Sequence, residues 1–422
     1  MRLRLQSRPA KLLAVAVTVV LLAPYCLIAA GRYRAARLAA ESDRASLERA
    51  ITLQPNNADY RERLAHILLF SDQNAAEALR NYRIATGMNP YSATSWLGLA
   101  QSQLILGNQP ASLQAANNAV DVDPTTPSVA WEAANLFIAN GHRDAALREI
   151  RFVLANDPGM LFQGLQLVHR LEPSVPKAVE VGIPPDPDTY LAFITLLARP
   201  NAEQKPDSLA DAKAVWPLLI GLHKSFDPKL SFFFLNALLK SGEGDTALQY
   251  WNDMAKNVPD IQRLNQPGNL IHNPSFEYDP LNGGFDWVYL GSQEVDLRNE
   301  TSDAHDGRRS LLITFLGQRT SDVGIHQYIV LEPNTRYRFR AFLKTDLQTA
   351  NGLQFMLVDL ANQKHLFETP DSVDDRQWKE ISAEFVTGPR TQLCVFLMTR
   401  SGGTLVRGNA LVDDLRLEKV TR

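Results

Sequence analysis

The feature that most constrains this chain is a spacing of prolines. Pro55, Pro90, Pro124 and Pro158 sit in the segments "LQPNNA", "MNPYSA", "VDPTTP" and "NDPGML", at intervals of 35, 34 and 34 residues. A period near ~34 predicts stacked helical hairpins, since a single hairpin cannot bury its own apolar face and must lean on its neighbours.

The residues between the prolines agree with the spacing. In the unit 93–126 they are Trp96, Leu99, Ala100, Gly107, Ala119 and Pro124, and in the unit 127–160 Ala130, Ala133, Ala134, Gly141, Ala146, Val153 and Pro158. Small residues let paired helices approach, glycine permits the turn and proline ends the second helix. This pattern resembles the tetratricopeptide repeat family. The unit 58–92 is one residue longer and has Gln73 where glycine is usual, yet its second helix conforms through Ala78, Tyr82, Ala85 and Pro90. After Pro158 the register blurs, and the proline-rich "EPSVPKAVEVGIPPDPD" excludes one continuous helix. A recognisable unit returns at 228–261 through Phe234, Leu235, Gly242, Ala247, Trp251, Met254 and Pro259. The first helix of each hairpin lines the concave surface of such a stack. Glu62, His66, Gln101, Leu104, Trp131, Asn135, Ile138, Phe232 and Asn236 are therefore candidates for a groove that docks a protein partner. For Trp131 and Phe232 the alternative is packing between repeats, which is what an aromatic at helical spacing usually does.

After "NLIHNPSFE", residues 269–277, the period changes to two. "TRYRFRAFLKT" places Tyr337, Phe339, Ala341 and Leu343 on one face and Arg336, Arg338, Arg340 and Phe342 on the other. Eight further runs of this kind, separated by turn residues, predict an antiparallel β-sandwich. The order of "NLIHNPSFE", "FDW", "AHDGRRSLLI", "IHQYIVLEPNTRYRFRAFLK", "WKEISAEFV" and "LVDDLRL" resembles galactose-binding-like jelly rolls, most closely carbohydrate-binding modules of the family 4/9 type.

That resemblance implies glycan binding and a structural calcium joining the first strand to the last, with Glu277, Asp413 and Asp414 at the usual acidic positions. Oxygen ligands suit Ca²⁺, and the alternative is that these acids are hydrogen-bonded or solvated. Sugar recognition needs aromatic faces and polar side chains, which singles out Trp287, Tyr289, Tyr328, Phe342 and Trp378. Trp287 and Trp378 are also candidates for the core. The row Arg336, Arg338, Arg340 suits a carboxylate- or phosphate-bearing polymer, with a solvated sheet face as the competing reading.

Residues 12–30, "LLAVAVTVVLLAPYCLIAA", are nineteen without a charge, enough to cross ~30 Å of hydrocarbon at ~1.5 Å per residue. The segment reads as a single membrane span, with a cleaved signal peptide as the rival. Arg2, Arg4, Arg8 and Lys11 precede it and Arg32, Arg34 and Arg37 follow, so the slight excess favours a cytoplasmic amino terminus and an extracytoplasmic bulk. These seven basic residues, with no acid before position 38, leave 38–422 at −10 out of a formal −3. An acidic bulk excludes the basic footprint of nucleic-acid binding, and two cysteines build no disulfide framework.

The expected organisation is an anchor at 1–37, helical repeats at 38–262, a linker at 263–268 and the sandwich at 269–422. No His-Glu-x-x-His helix, Cys/His cluster, phosphate loop or Gly-x-Ser-x-Gly elbow occurs, so no catalytic residue is assigned. The sequence thus predicts a multidomain α + β scaffold that binds a glycan and a protein partner, in exopolysaccharide or cell-envelope assembly. A purely protein-docking scaffold and a glycan hydrolase or lyase are the alternatives.

Overall fold

A computed structural model describes residues 8–199 and 209–420. The basic positions Arg2 and Arg4 lie outside the described residues. Contacts divide the chain into two compact units, Met1–Pro184 and Pro185–Arg422.

The first unit is built of α1 (Arg8–Ala40), α2 (Arg44–Leu53), α3 (Ala58–Phe70), α4 (Ala75–Met88), α5 (Ala93–Ile105), α6 (Gln109–Val122), α7 (Pro127–Ala139), α8 (Arg143–Asn156), α9 (Leu161–Leu171) and α10 (Val175–Gly182). Consecutive helices pair as antiparallel hairpins whose ends are set locally. Asn57, Asn74, Ser92 and Asn108 each cap a helix by accepting a backbone N–H from the first turn. Gly107 and Gly141 hold left-handed φ values of 77° and 78° in the inter-helix turns, and Gln73 takes the same region at 53°. Alanine makes the interior thin: Ala65, Ala78, Ala85, Ala100, Ala116, Ala133 and Ala146 are all fully buried. Gly98 lies under the ring of Tyr82, where an added Cβ would come within 2.1 Å of Cζ.

Helix α1 joins two roles in one rod. Its segment 12–30 is apolar and exposed, while Ala35 and Ala39 are buried where its last turns pair with α2. It is long and apolar enough to cross a membrane by length and composition. The proline-rich stretch yields α10, which has Pro176 in its first turn and ends before Pro184.

The second unit begins with α11 (Pro187–Ala198), α12 (Ala210–Ile220), α13 (Phe232–Lys240), α14 (Gly244–Met254) and α15 (Pro259–Leu264). Trp216 stacks on Tyr250 at 4.6 Å and meets Phe234 at 6.0 Å, which ties α12, α13 and α14 together. The sandwich follows as β1 (Val288–Tyr289), β2 (Val295–Glu300), β3 (Ser310–Arg319), β4 (Asp322–Val330), β5 (Arg336–Gln348), β6 (Leu353–Asp359), β7 (Lys364–Glu368), β8 (Lys379–Val386), β9 (Leu393–Arg400) and β10 (Leu405–Lys419). One antiparallel sheet has the order β1-β4-β9-β6-β7 and the other β2-β3-β10-β5-β8. Phe339 of β5 sits at the centre of the core, 5.0–5.3 Å from the rings of Phe355, Phe367 and Phe396. The sequence reading missed β7, a five-residue edge strand with little alternation to read.

Candidate functional site

The opening motif of the β half holds the two sheets together. The Asn269 amide donates to Leu415 O at 2.9 Å while its oxygen accepts the Leu417 N–H at 3.0 Å, both on β10. Three residues on, the His272 N–H donates to the Gln327 side chain of β4, which donates back to His272 O, each at 3.0 Å. Asn273 and Phe276 hold left-handed φ values of 47° and 53°, and the Asn273 amide closes the loop onto the backbone of Tyr278.

This loop removes two candidates from the surface. Trp287 is fully buried, donates from Nε1 to Asn273 O at 3.0 Å and stacks on Phe276 at 5.2 Å. Tyr289 is half-buried and donates its hydroxyl to Asn299 Oδ1 at 3.2 Å, and burial pushes that hydroxyl's pKa up. Neither presents an open aromatic face to a sugar, because both rings serve the interior.

The arginine row lies on the outer face of β5. Arg336 and Arg338 are exposed and Arg340 is half-buried. Carboxylates on the flanking strands meet two of them: Arg338 Nη2 is 2.7 Å from Glu384 of β8, and Arg340 Nη2 is 3.6 Å from Glu418 of β10. Phe342 continues the row with His305 stacked on it at 3.5 Å and 12°. Trp378 stands edge-on to His305 at 5.8 Å and donates from Nε1 to Asp303, whose other oxygen accepts from Lys344. The row is therefore cross-linked rather than presented as three free cations.

The proposed calcium ligands hold a loop by themselves. Glu277 Oε1 accepts the N–H groups of Arg308 and Arg309 at 2.6 and 2.9 Å. Asp413, fully buried where β10 bulges, accepts those of His305 and Asp306 at 2.7 and 2.9 Å. Asp414 accepts from Arg416 Nε at 2.8 Å. Burial pushes the Asp413 carboxyl up to about 6. Among the described residues no three His, Cys, Asp or Glu side chains converge as a metal site. At least one oxygen of each acid is thus turned to an amide or guanidinium donor of the protein itself.

The first sheet carries a cavity. Its outer face presents Val288, His326 and Tyr328, with the two rings edge-on at 5.6 Å. The α13–α14 hairpin lies against this face: a Cβ on Gly244 would touch Leu393 and Val330 at 3.4–3.5 Å. Between them is a space of about 310 Å³ lined by Asn236, Leu239 and Lys240 of α13, residues 282–284, Val288, His326, Tyr328, Leu360 and Leu393. Burial lowers the His326 pKa from the ordinary imidazole value. Phe232 does not line a groove. It packs on Gly283, where an added Cβ would lie 2.2 Å from Cδ2, and Trp251 packs in the same way on Gly284.

The first unit holds a larger groove of about 850 Å³, lined by α3, α5 and α7 with Tyr82 behind them. Glu62, His66, Gln101, Leu104 and Asn135 all face it. Glu62 accepts hydroxyl donors from Ser92 and Thr94 at 2.7 Å each and from Ser95. Trp131 lies outside the lining, because the stripe that α7 turns to the groove is Glu132, Asn135, Leu136 and Ala139. One residue before that stripe points about 100° away on a helix. Glu132 escaped the sequence reading for the same reason, since its neighbour's aromatic ring drew the assignment.

None of the curated proteins compared matches the chain. Among solved structures, a xylan-binding module of a Paenibacillus barcinonensis protein is 16% identical, with 35% of this chain and 92% of that one covered and a TM-score of 0.27. A family 4 carbohydrate-binding module is 15% identical over 36% of this chain and 99% of its own, at a TM-score of 0.28. The MamA protein is 13% identical over 36% of this chain and 87% of its own, at 0.31. The family model described as a carbohydrate binding domain matches residues 268–399, so the β half of this chain resembles carbohydrate-binding modules, and the helices that precede it in sequence resemble tetratricopeptide repeats.

Proposed function

We propose that this chain is a membrane-anchored, extracytoplasmic binding protein whose jelly roll holds a glycan while the α3–α7 groove docks a protein, in exopolysaccharide or envelope assembly. The observation that carries the glycan arm is the match of residues 268–399 to a carbohydrate binding domain. An aromatic and amide-lined cavity on the outer face of its first sheet supports it. The anchoring arm rests on α1, whose apolar segment runs without a break into a helix buried against α2. Retention of residues 12–30 in membrane pellets after carbonate extraction tests it, and a mature chain beginning after Ala30 would replace the anchor with a signal peptide.

The full chain in detergent, applied to a glycan array, should retain at least one polysaccharide. A second reading, a scaffold for proteins alone, is favoured by the ion-paired state of Arg338 and Arg340. A blank array together with a stable protein partner from crosslinking would establish that reading instead.

A further inference from the structure

The cavity between α13 and the first sheet is lined by one cation and no carboxylate. Residues 269–422 carry 17 basic and 21 acidic side chains, yet no Asp or Glu lines this space and Lys240 does. Among the described residues six lysines stand in ion pairs with carboxylates, at 177, 213, 256, 344, 379 and 419. Lys240 has no such partner among the described residues and is exposed at the end of α13.

The polar groups around it converge. The Asn282 oxygen is occupied by the Tyr289 N–H at 2.9 Å, which leaves its amide as the donor that this lining residue can offer. Asn236 contributes a second amide, the His326 ring its nitrogens, and Tyr328 an aromatic ring with a hydroxyl. Leu239, Val288, Leu360 and Leu393 supply apolar wall. The space has a stop: the helical hairpin touches the sheet at Val330 and Leu393, and Phe232 is wedged against Gly283. Helix on one side and sheet on the other favour an inserted chain end over a polymer laid across the space.

We propose that this cavity binds the terminal sugar of a carboxylate-bearing glycan, with Lys240 receiving the carboxylate, Asn236, Asn282 and His326 the hydroxyls, and Tyr328 a sugar face. The volume, about 310 Å³, is at the small end of ligand pockets and suits one or two sugar rings, not a long segment. The proposal rests on the glycan-binding reading of the jelly roll and narrows it to chain ends and to acidic sugars.

The test uses the full chain in detergent and three uronic-acid trisaccharides, from galacturonate, glucuronate and mannuronate polymers, each beside its methyl ester and its parent polymer. Binding of at least one free acid is expected, about tenfold tighter than its ester and weakened by salt. Lys240→Gln should remove that preference, with affinity for the ester unchanged. Lys364→Gln, at an exposed lysine on β7 of the same sheet, should change neither. Affinity should follow the concentration of chain ends, so the parent polymer binds in proportion to its ends and not its mass.

The proposal is overturned if the free acids bind equally well after Lys240→Gln, if polymer binding scales with mass, or if only neutral glycans bind. In those three cases the jelly roll still binds glycan by another face. Binding of no glycan at all would sink both readings. Unchanged thermal unfolding of the Lys240→Gln protein separates a lost contact from a lost fold.

Discussion

Gly283 and Phe232 approach so closely that a single methyl on the glycine would lie 2.2 Å from the ring carbon Cδ2. Beside them Gly284, at a left-handed φ of 62°, leaves room for Trp251. The loop of the sandwich that carries Asn282 is thereby keyed to the helices that carry Asn236 and Lys240. These contacts define the cavity wall as much as the sheet does.

Gly283→Ala is expected to push this loop off α13. Forcing a methyl into a packed contact costs about 1–3 kcal/mol, read as a lowered urea midpoint with an unchanged slope. Gly284→Ala should cost more, because it adds an unfavourable left-handed backbone to the same clash. A Gly283→Ala protein as stable as the parent would mean that the helices and the sandwich yield to each other freely.

Two buried titratable groups lie close together in sequence and carry opposite pH signs. The Asp286 carboxyl, fully buried and with Oδ1 unpartnered, is pushed up to about 7 by burial. It therefore holds a proton in the folded state that the unfolded state has released, and it subtracts stability as pH rises from about 4 to 7. The His272 imidazole, 2.7 Å from Asn265 Oδ1, is pushed down to about 4 by burial. It subtracts stability as pH falls from about 6.5 to 4. Asp286→Asn removes only the first effect. Its stability relative to the parent should grow with pH across that window by up to ~1.4 kcal/mol per unit, measured by denaturant unfolding at stepped pH. A pH-independent difference would place the Asp286 carboxyl at an ordinary value.

The loop 303–309 hangs on Asp413 and Glu277 through four backbone amides. Asp413→Ala should raise hydrogen exchange at His305 and Asp306 by tenfold or more, with β3 amides protected as before. A chelator should leave exchange at these amides unchanged. If added calcium slowed them, a cation would be completing the loop after all.

Arg338 and Glu384 are both about half exposed, at 52% and 46%. Replacing Arg338 by Ala should cost less than ~1 kcal/mol, as for other solvated ion pairs. Array binding of an acidic glycan should fall by less than about twofold. A larger loss would move the recognition surface from the first sheet to the arginine row.

Much of the fold was legible because it is written locally. A glycine that must take positive φ, a capping Asn or Ser and a closing proline recur with the hairpin, and each acts within a few residues of itself. The alternation around Arg336–Leu343 likewise told which side chains leave the core, since neighbours on a strand point oppositely. The site was less legible. Trp287 and Tyr328 are both aromatic residues in strand-like runs, but one fills the interior and the other faces a cavity. Trp131 and Glu132 exchanged roles over a single helical position.

The sequence by itself determined the helical repeats, the sandwich, the apolar anchor-like segment and the two faces of β5, all of which follow from period and turn chemistry. Only the tertiary structure decided that Asn236, taken as a groove residue of the helices, and Tyr328, taken as a sugar-facing residue of the sheet, line one cavity. Period fixes which face of an element is apolar. Which other element comes to lie on that face depends on the shapes and volumes of side chains far apart in the chain, such as Phe232 against a glycine with nothing to displace.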